Sequence, residues 1–571
     1  MKMTVIAAGL LACGIATQAL AVPAPRPVGI TLMPIGTYLA VDSEGKPLFD
    51  QSAAEIVAHD PQTQRLFVVN FAENAVDILD ITNPREPTRV GQVTGLGGAP
   101  NSVAVANGLV AVAVEAPVKT DNGWAVFLDT DGNVRNALQV GALPDMITFT
   151  PDGSKVLVAN EGEPSDPYVP ETDPEGSVSI IDVSGGVDFL TSNDVLTADF
   201  RGFNNQRQNL IAQGVRIHPN APTVAQDLEP EYITVSDDSM TAWVSLQENN
   251  ALAVIDIAAA TVTAILPFGR KDHSIQGNGL DASDRNNVID IRPWPRVYGI
   301  HMPDAIASYS FRGQNYVLTA NEGDAREWGP LMTDVSRIRD LRDVTGSINR
   351  GDALCEDAFP NRESLVEQPQ LGRLNVSTID GFNTEDNCFE ELHALGARSF
   401  SIWTADGQLV FDSGDEFEQF TAKVNPDFFN SNHRETSFKT RSDDKGPEPE
   451  PITVAKLLGR TYAFIGFERI GGVMIYDITN PYAPYFVDYT NNRDFSINLA
   501  RRQGESEEAY EARIAAELPL AGDLGIEDII VIQAKDSPIG RPLVVTANEV
   551  SGTTTIFEVI PKTLGVGPRK E

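Results

Sequence analysis

The residues with the most capacity for chemistry are carboxylates that recur at two stations. A glutamate closes an apolar run in VAVAVEAP (Glu115), VLVANEGEP (Glu161), AWVSLQENN (Glu248), YVLTANEGD (Glu322), YAFIGFERIGG (Glu468) and LVVTANEVSG (Glu549). One apolar run upstream a second polar residue recurs, following proline in all but the last instance: Asn101, Asp145, Glu231, Asp304, Glu450 and Glu527. Side chains repeated at one station become a ring once the repeats close, and crowded carboxylates raise one another's pKa unless cations intervene. Oxygen-only donor sets suit calcium or magnesium rather than zinc. The expected metal ligands are Glu161, Glu248, Glu322, Glu468, Glu549, Asp145, Glu231, Asp304 and Glu450, with Ca2+ as the expected ion and Mg2+ or another divalent metal as the alternative. The competing reading has each acid capping backbone amides of the next repeat; Asn160, Asn249, Asn321 and Asn548 beside the glutamates favour a polar, ion-binding set.

Basic residues fall close to these stations: Arg326 in NEGDARE, Arg398 in GARSFSIW, Arg469 in FERIGG, and Arg441 with Lys445 in RSDDKGPEPEP. Metal ions and guanidinium groups interleaved around one funnel suit a phosphate ester, the metals polarising its oxygens and arginine binding them in pairs. Plain compensation of the acidic ring accounts for the same arginines. The stretch with Asp281, Asp284 and Asp290 alternates oxygen donors as calcium loops do, but it lacks the glycine and terminal glutamate of an EF-hand. A second acidic run holds Glu385, Asp386, Glu390 and Glu391 and reads as a solvated loop. The six histidines have no metal-motif spacing, although His301 falls near the Asp304 station. Serine-hydrolase elbows, phosphate loops and dinucleotide fingerprints are absent from the sequence.

The elements that must position these residues are short strands. A typical unit, PDMITFTPDGSKVLVANEGE, holds two apolar strands joined by a Pro-Asp-Gly turn, the second ending at the glutamate. A third strand follows with an Ile-Asp signature (SVSIIDV), and a variable fourth closes the unit. Units recur about 40 to 50 residues apart where uninterrupted, the period of propeller blades. Seven begin near Glu55, Asn101, Asp145, Glu231, Asp304, Glu450 and Glu527. The expected fold is all-β, a seven-bladed β-propeller with long loop insertions. It spans 53–562, after a lead-in strand segment at 22–52 and before a tail at 563–571. The insertions are placed at 184–227, 269–302, 325–397, 415–446 and 489–522, the last carrying a short helix in GESEEAYEARIAAEL. First strands start, and second strands end, at one mouth of such a channel, so both stations converge there.

Composition limits the partners. The 571 residues carry 80 Asp and Glu against 43 Lys and Arg, a formal net charge of −37. A nucleic-acid partner needs a basic footprint, which is missing, and divalent cations are the natural counter-species. The first 21 residues read as a secretory signal, with Lys2, an apolar VIAAGLLACGIA and Ala19-Leu20-Ala21 before the cleavage point. A lipobox at Cys13 is the minor alternative, giving a lipoprotein. Cys355 and Cys388 then remain as a pair, expected to form a disulfide that staples a long insertion in an oxidising compartment. An exported monomer, periplasmic or extracellular and without a transmembrane segment, is expected.

The strings VLVANEGEPSD, MPDAIASY, TANEGDAREW, RSDDKGPEPE and TANEVSGTTTIFE resemble the choice-of-anchor I family of exported propellers over nearly all of the mature chain. The resemblance implies a YVTN-like seven-bladed propeller outside the cytoplasm. That family includes cell-surface glycoproteins of the mesenchyme-specific type, and some members carry an alkaline phosphatase label. This chain is expected to depart from anchored members, ending at GVGPRKE without a sorting signal or terminal membrane segment. The leading expectation is a calcium-binding propeller that hydrolyses small phosphate esters with a metal-bound water. Glu161, Glu322, Asp304 and Glu450 would hold metal, and Arg326 and Arg398 would hold phosphate. A non-catalytic surface or matrix-binding module with structural calcium is the competing class, and a lactonase-like calcium hydrolase is a third.

Overall fold

The computed structural model describes residues 28–341 and 353–563. The expected signal peptide, Cys13 and nearly all of the tail lie outside the described residues. Each sequence unit folds as a four-stranded antiparallel sheet, and seven such sheets are present among the described residues. The third consists of Pro144–Phe149, Lys155–Asn160, Ser177–Asp182 and Val195–Asp199. Its Pro-Asp-Gly turn is closed by Asp152, whose Oδ1 accepts from Thr150 Oγ1 (2.7 Å) and Ser154 N (2.9 Å). Second strands such as VLVAN are buried on both faces between neighbouring sheets, which explains their unbroken apolar runs.

The first strand of each sheet packs beside the first strand of the next, and that of the seventh sheet lies beside that of the first. The result is a closed, β-propeller-like ring with the first strands innermost. The seventh sheet takes its first three strands from Ile526–Ile532, Leu543–Asn548 and Thr553–Thr563. Its outer strand is Val28–Leu39 from the other end of the described chain, paired from Val28–Thr563 to Leu39–Thr553. The segment expected to lead into the propeller is therefore part of its last sheet. The long edge of Thr553–Thr563 is covered, and Ile30 and Leu32 join Phe557 and Val559 in one buried cluster.

The insertions carry their own order. The span 184–227 contains the fourth strand of the third sheet, Val195–Asp199. The segments 269–302 and 325–397 share a three-stranded sheet of Arg270–Asp272, Val297–Ile300 and Leu392–Leu395. Leu280, Trp294, Phe359, Val376 and Phe389 form its separate core. Cys355 and Cys388 form the expected disulfide within this lobe, with Cα atoms 5.1 Å apart. The predicted helix is Glu507–Ala521, and it buries Ile514 and Leu518 against Leu499 and Leu524. No helix of the described residues is long and apolar enough to cross a membrane.

Ile30 is fully buried in the strand that completes the ring. Ile30→Ala is expected to cost about 2–5 kcal/mol, read as a lower urea midpoint, with Leu196→Ala on the exposed outer strand of the third sheet as a near-neutral control.

Candidate functional site

Two local devices aim the acidic stations. At the start of the third sheet Pro144 pairs with Asn160 and Ile147 with Val158, so Asp145 and Met146 together oppose Ala159. The same shift occurs between Pro230 and Ile233 and between Pro449 and Ile452. Proline suits the first position of a strand, and the bulge that follows turns the acid out of the regular pleat. The second device is the asparagine at the end of the second strand. Asn160 Nδ2 donates to Ser177 Oγ (3.2 Å) and Ser179 Oγ (3.0 Å), and Asn321 Nδ2 donates to Ser399 Oγ (3.1 Å) and Ser401 Oγ (2.9 Å). Asn548 Nδ2 donates to Thr553 Oγ1 (3.1 Å) at the start of the third strand and to Thr546 Oγ1 (3.1 Å) on its own strand. These amides tie second strands to third strands, and Asn249 bonds Arg216 O and Asp227 O. They are staples rather than the ion-facing neighbours the sequence suggested. After Glu322 the chain turns through Gly323 (φ +97°), where a Cβ would meet Gly396 N at 2.0 Å, so only glycine lets the two backbones pass.

The two stations meet in a cavity of about 510 Å3. Asp145, Glu231, Asp304 and Glu450 reach it from first strands, as does Glu527, which sits in a one-residue bulge of the seventh sheet. Glu322, Glu468 and Glu549 reach it from second strands. Glu161 and Glu248 do not line this cavity, though their charges act on those that do. Asp528, next to Glu527, accepts instead from Val57 N at 3.0 Å and serves the backbone.

Burial dominates the electrostatics, and mutual repulsion adds to it. Burial and then Glu322 and Asp145 push Asp304 well above its ordinary value. Burial and then Glu527 and Glu468 do the same to Glu450, and burial with Asp304 and Glu248 does so to Glu231. Burial and then Asp145 and Glu248 push Glu161 well above its ordinary value. Burial raises Asp145 to about 6, Glu248 to about 7 and Glu468 to about 8. The Glu231 and Glu450 carboxyls each keep one buried oxygen without a hydrogen-bond partner, an arrangement that calls for a ligand or a proton.

Three groups bring candidate ligand atoms within 4.8 Å of one another: Asp304–Glu322–Glu450, Glu322–Glu448–Glu468 and His433–Glu468–Glu549. Glu448 and His433 come from the insertion at 415–446 and its exit, where the sequence showed no repeat to mark them. The central group is compensated from within. Lys445 Nζ lies 2.5 Å from Glu322 and 3.6 Å from Glu448, and Arg441 and Arg469 contact Glu448 at 2.5 and 2.7 Å. Burial alone would raise Glu448, but Lys445, Arg469 and Arg441 hold it well below the usual carboxylate range.

The two arginines expected to hold phosphate are engaged elsewhere. Arg326 is fully buried, donating from Nη2 to Asp227 O (2.9 Å) and Glu229 Oε2 (3.2 Å). Arg398 donates to Asp281 O and Glu418 Oε1 (both 2.8 Å) and to Ser442 O (2.9 Å), pinning the insertion. Neither lines the cavity. Both lie where insertions cross, a placement set by tertiary path rather than by the repeat. His301 is also set back, 4.0 Å from Asp412. Asp281 is paired with Lys439 (2.9 Å), Asp284 with Arg373 (2.9 Å) and Asp290 with Arg292 (3.0 Å), so the loop that alternates oxygen donors is neutralised by the protein's own cations.

The model of the choice-of-anchor I domain matches residues 55–481, and the chain belongs to that family. It is 32% identical over 290 residues to the mesenchyme-specific cell surface glycoprotein of Strongylocentrotus purpuratus, covering 46% of this chain and 36% of that protein. It is 30% identical over 204 residues to gigasin-3a of Magallana gigas, covering 34% of this chain and 67% of that protein. The match therefore spans only about a third of the sea-urchin protein's length. Among solved structures, hydrazine synthase of Kuenenia stuttgartiensis aligns over 92% of this chain and 100% of that chain, with a TM-score of 0.41 and 13% identity.

A pH dependence follows from the buried acids. Asp145, Glu248 and Glu468 keep protons in the fold, up to about pH 6, 7 and 8, that the unfolded chain releases near pH 4. The native state then binds more protons than the unfolded state, so their stabilisation is complete below about pH 4 and is lost as pH rises through 6 to 8. With a chelator present, the melting temperature is expected to fall between pH 5 and 8.5. A melting temperature that rises with pH across this window would contradict the assignment.

Proposed function

We propose that this chain is an exported, cell-surface seven-bladed β-propeller that binds a divalent cation of the calcium or magnesium class in the mouth of its channel. The seven sheets act as blades, and Asp304, Glu322 and Glu450 hold the ion. The observation that carries this reading is the convergence of those three carboxylates within 4.8 Å, where Glu450 keeps a buried oxygen without a partner. All donors are oxygens, the preference of hard cations, and water or backbone carbonyls can complete the shell. The disulfide and the names of the relatives support the extracytoplasmic setting. Glu450→Gln is expected to weaken calcium binding at least about 10-fold in calorimetric titration, by removing a ligand charge. Unchanged calcium affinity in this variant would sink the site.

Lys445, Arg469 and Arg434 line the same cavity as the acids, and this favours a second reading, hydrolysis of small phosphate esters. A bound dication would polarise the phosphoryl group and lower the pKa of a water. Arg469, already in the cavity, takes the phosphate-binding part expected of Arg326 and Arg398. Protein loaded with calcium or magnesium is then expected to turn over p-nitrophenyl phosphate, with chelation abolishing turnover reversibly. Calcium-dependent stabilisation without turnover across pH and divalent metals would leave a binding module with a structural ion.

A further inference from the structure

One of the three ligand groups differs from the others in holding a nitrogen donor. We infer that His433, Glu468 and Glu549 form a second metal site that takes a first-row transition dication of the zinc or manganese class, apart from the oxygen-only trio. Their candidate ligand atoms lie within 4.8 Å of one another, although the three residues come from separate parts of the fold. Glu468 and Glu549 end the second strands of the sixth and seventh sheets, while His433 is delivered by the insertion between the fifth and sixth. His433 and Glu468 are 5% and 4% exposed, so the position is enclosed on two sides. Ser52 Oγ donates to Glu549 Oε2 at 3.2 Å, the outer contact that orients a ligating carboxylate.

The imidazole already faces the other groups of the trio. Arg469 Nη1 lies 2.8 Å from His433 Nδ1 and 3.3 Å from Nε2, and Nδ1 lies 3.3 Å from Glu468 Oε1. The same Nη1 lies 2.7 Å from Glu468 Oε1. A guanidinium nitrogen thus stands where a cation would contact both residues. Arg469 is also held through Nε by Glu448 Oε2 at 2.7 Å, on a separate carboxylate. An entering dication replaces the contacts of Nη1 while the Nε–Glu448 bond remains, leaving a donor beside the ion. Calcium prefers oxygen donors alone, whereas an imidazole nitrogen beside two carboxylates matches the mixed sets that hold zinc or manganese. Glu322 and Glu468 both belong to the central group as well, so the two metal positions are joined through carboxylates with Lys445 and Arg469 between them.

The test is a titration of the chelator-stripped full chain with Co2+, read by its visible absorption, followed by competition with Zn2+. One equivalent of Co2+ is expected to bind with nitrogen-ligand bands and to be displaced by Zn2+ but not by Ca2+. His433→Gln and, separately, the milder Glu549→Gln should each weaken Co2+ affinity at least about 10-fold, with the thermal melt of the stripped protein reporting that each variant folds. Leu196→Ala, on the exposed outer strand of the third sheet, should leave Co2+ binding unchanged. Equal Co2+ affinity in the parent and both variants, or displacement of Co2+ by Ca2+ at one shared position, would overturn the inference. Absence of calcium binding alongside His433-dependent Co2+ binding would remove the oxygen-only site and leave this one standing.

Discussion

Repulsion among carboxylates gathered at one end of a low-dielectric channel is the constraint to which the rest of the molecule answers. Closing the ring brings Asp145, Glu231, Asp304, Glu450 and Glu527 from first strands against Glu322, Glu468 and Glu549 from second strands. No arrangement of these groups is neutral by itself. The fold meets the problem in two ways, with protons retained by burial and with internal ammonium and guanidinium groups; the cation proposed above would be a third. The balance differs around the mouth. Burial and neighbouring carboxylates push Asp304 and Glu450 well above their ordinary values, while Lys445, Arg469 and Arg441 hold Glu448 ionised.

The insertions are what make the ring unequal. A plain repeat would give every sheet the same acids and the same compensation. Instead the segment that leaves the fifth sheet brings His433, Arg441, Lys445 and Glu448 to one side of the mouth. Arg398 fixes that segment by donating to Ser442 O, and at Gly446 (φ +71°) a Cβ would meet the Arg398 side chain at 3.0 Å. An arginine outside the cavity thereby sets the cations inside it.

Legibility in the sequence followed periodicity. The acid at each strand end and the acid after each strand-opening proline were readable because a repeated backbone environment repeats its side chains. Cys355 and Cys388 were readable because a lone pair in an exported chain has one partner to choose. The roles of Arg326 and Arg398 were not, because each is fixed by carbonyls and carboxylates far away in sequence, Asp227 and Glu229 for one and Asp281 and Glu418 for the other. His433 was invisible for the same reason, since it meets Glu468 and Glu549 only after two sheets and an insertion are in place. The asparagines misled because an amide beside a carboxylate looks alike whether it faces an ion or a neighbouring strand. The lead-in segment was readable as a strand, but its place as the outer strand Val28–Leu39 of the last sheet was not, because its partner is the most distant strand in the chain.

That outer strand has a mechanical consequence. Val28 pairs with Thr563, so both ends of the described chain leave the molecule at one corner of a single sheet. A pull between the two ends loads the Val28–Thr563 pair first and opens the ladder rung by rung, the weak direction of an antiparallel ribbon. A pull on one end against the body of the molecule, as in a tether to a surface, instead spreads force along the ribbon from Val28 to Leu39. The sheet that closes the ring is thus a fastening whose resistance depends on which end is held.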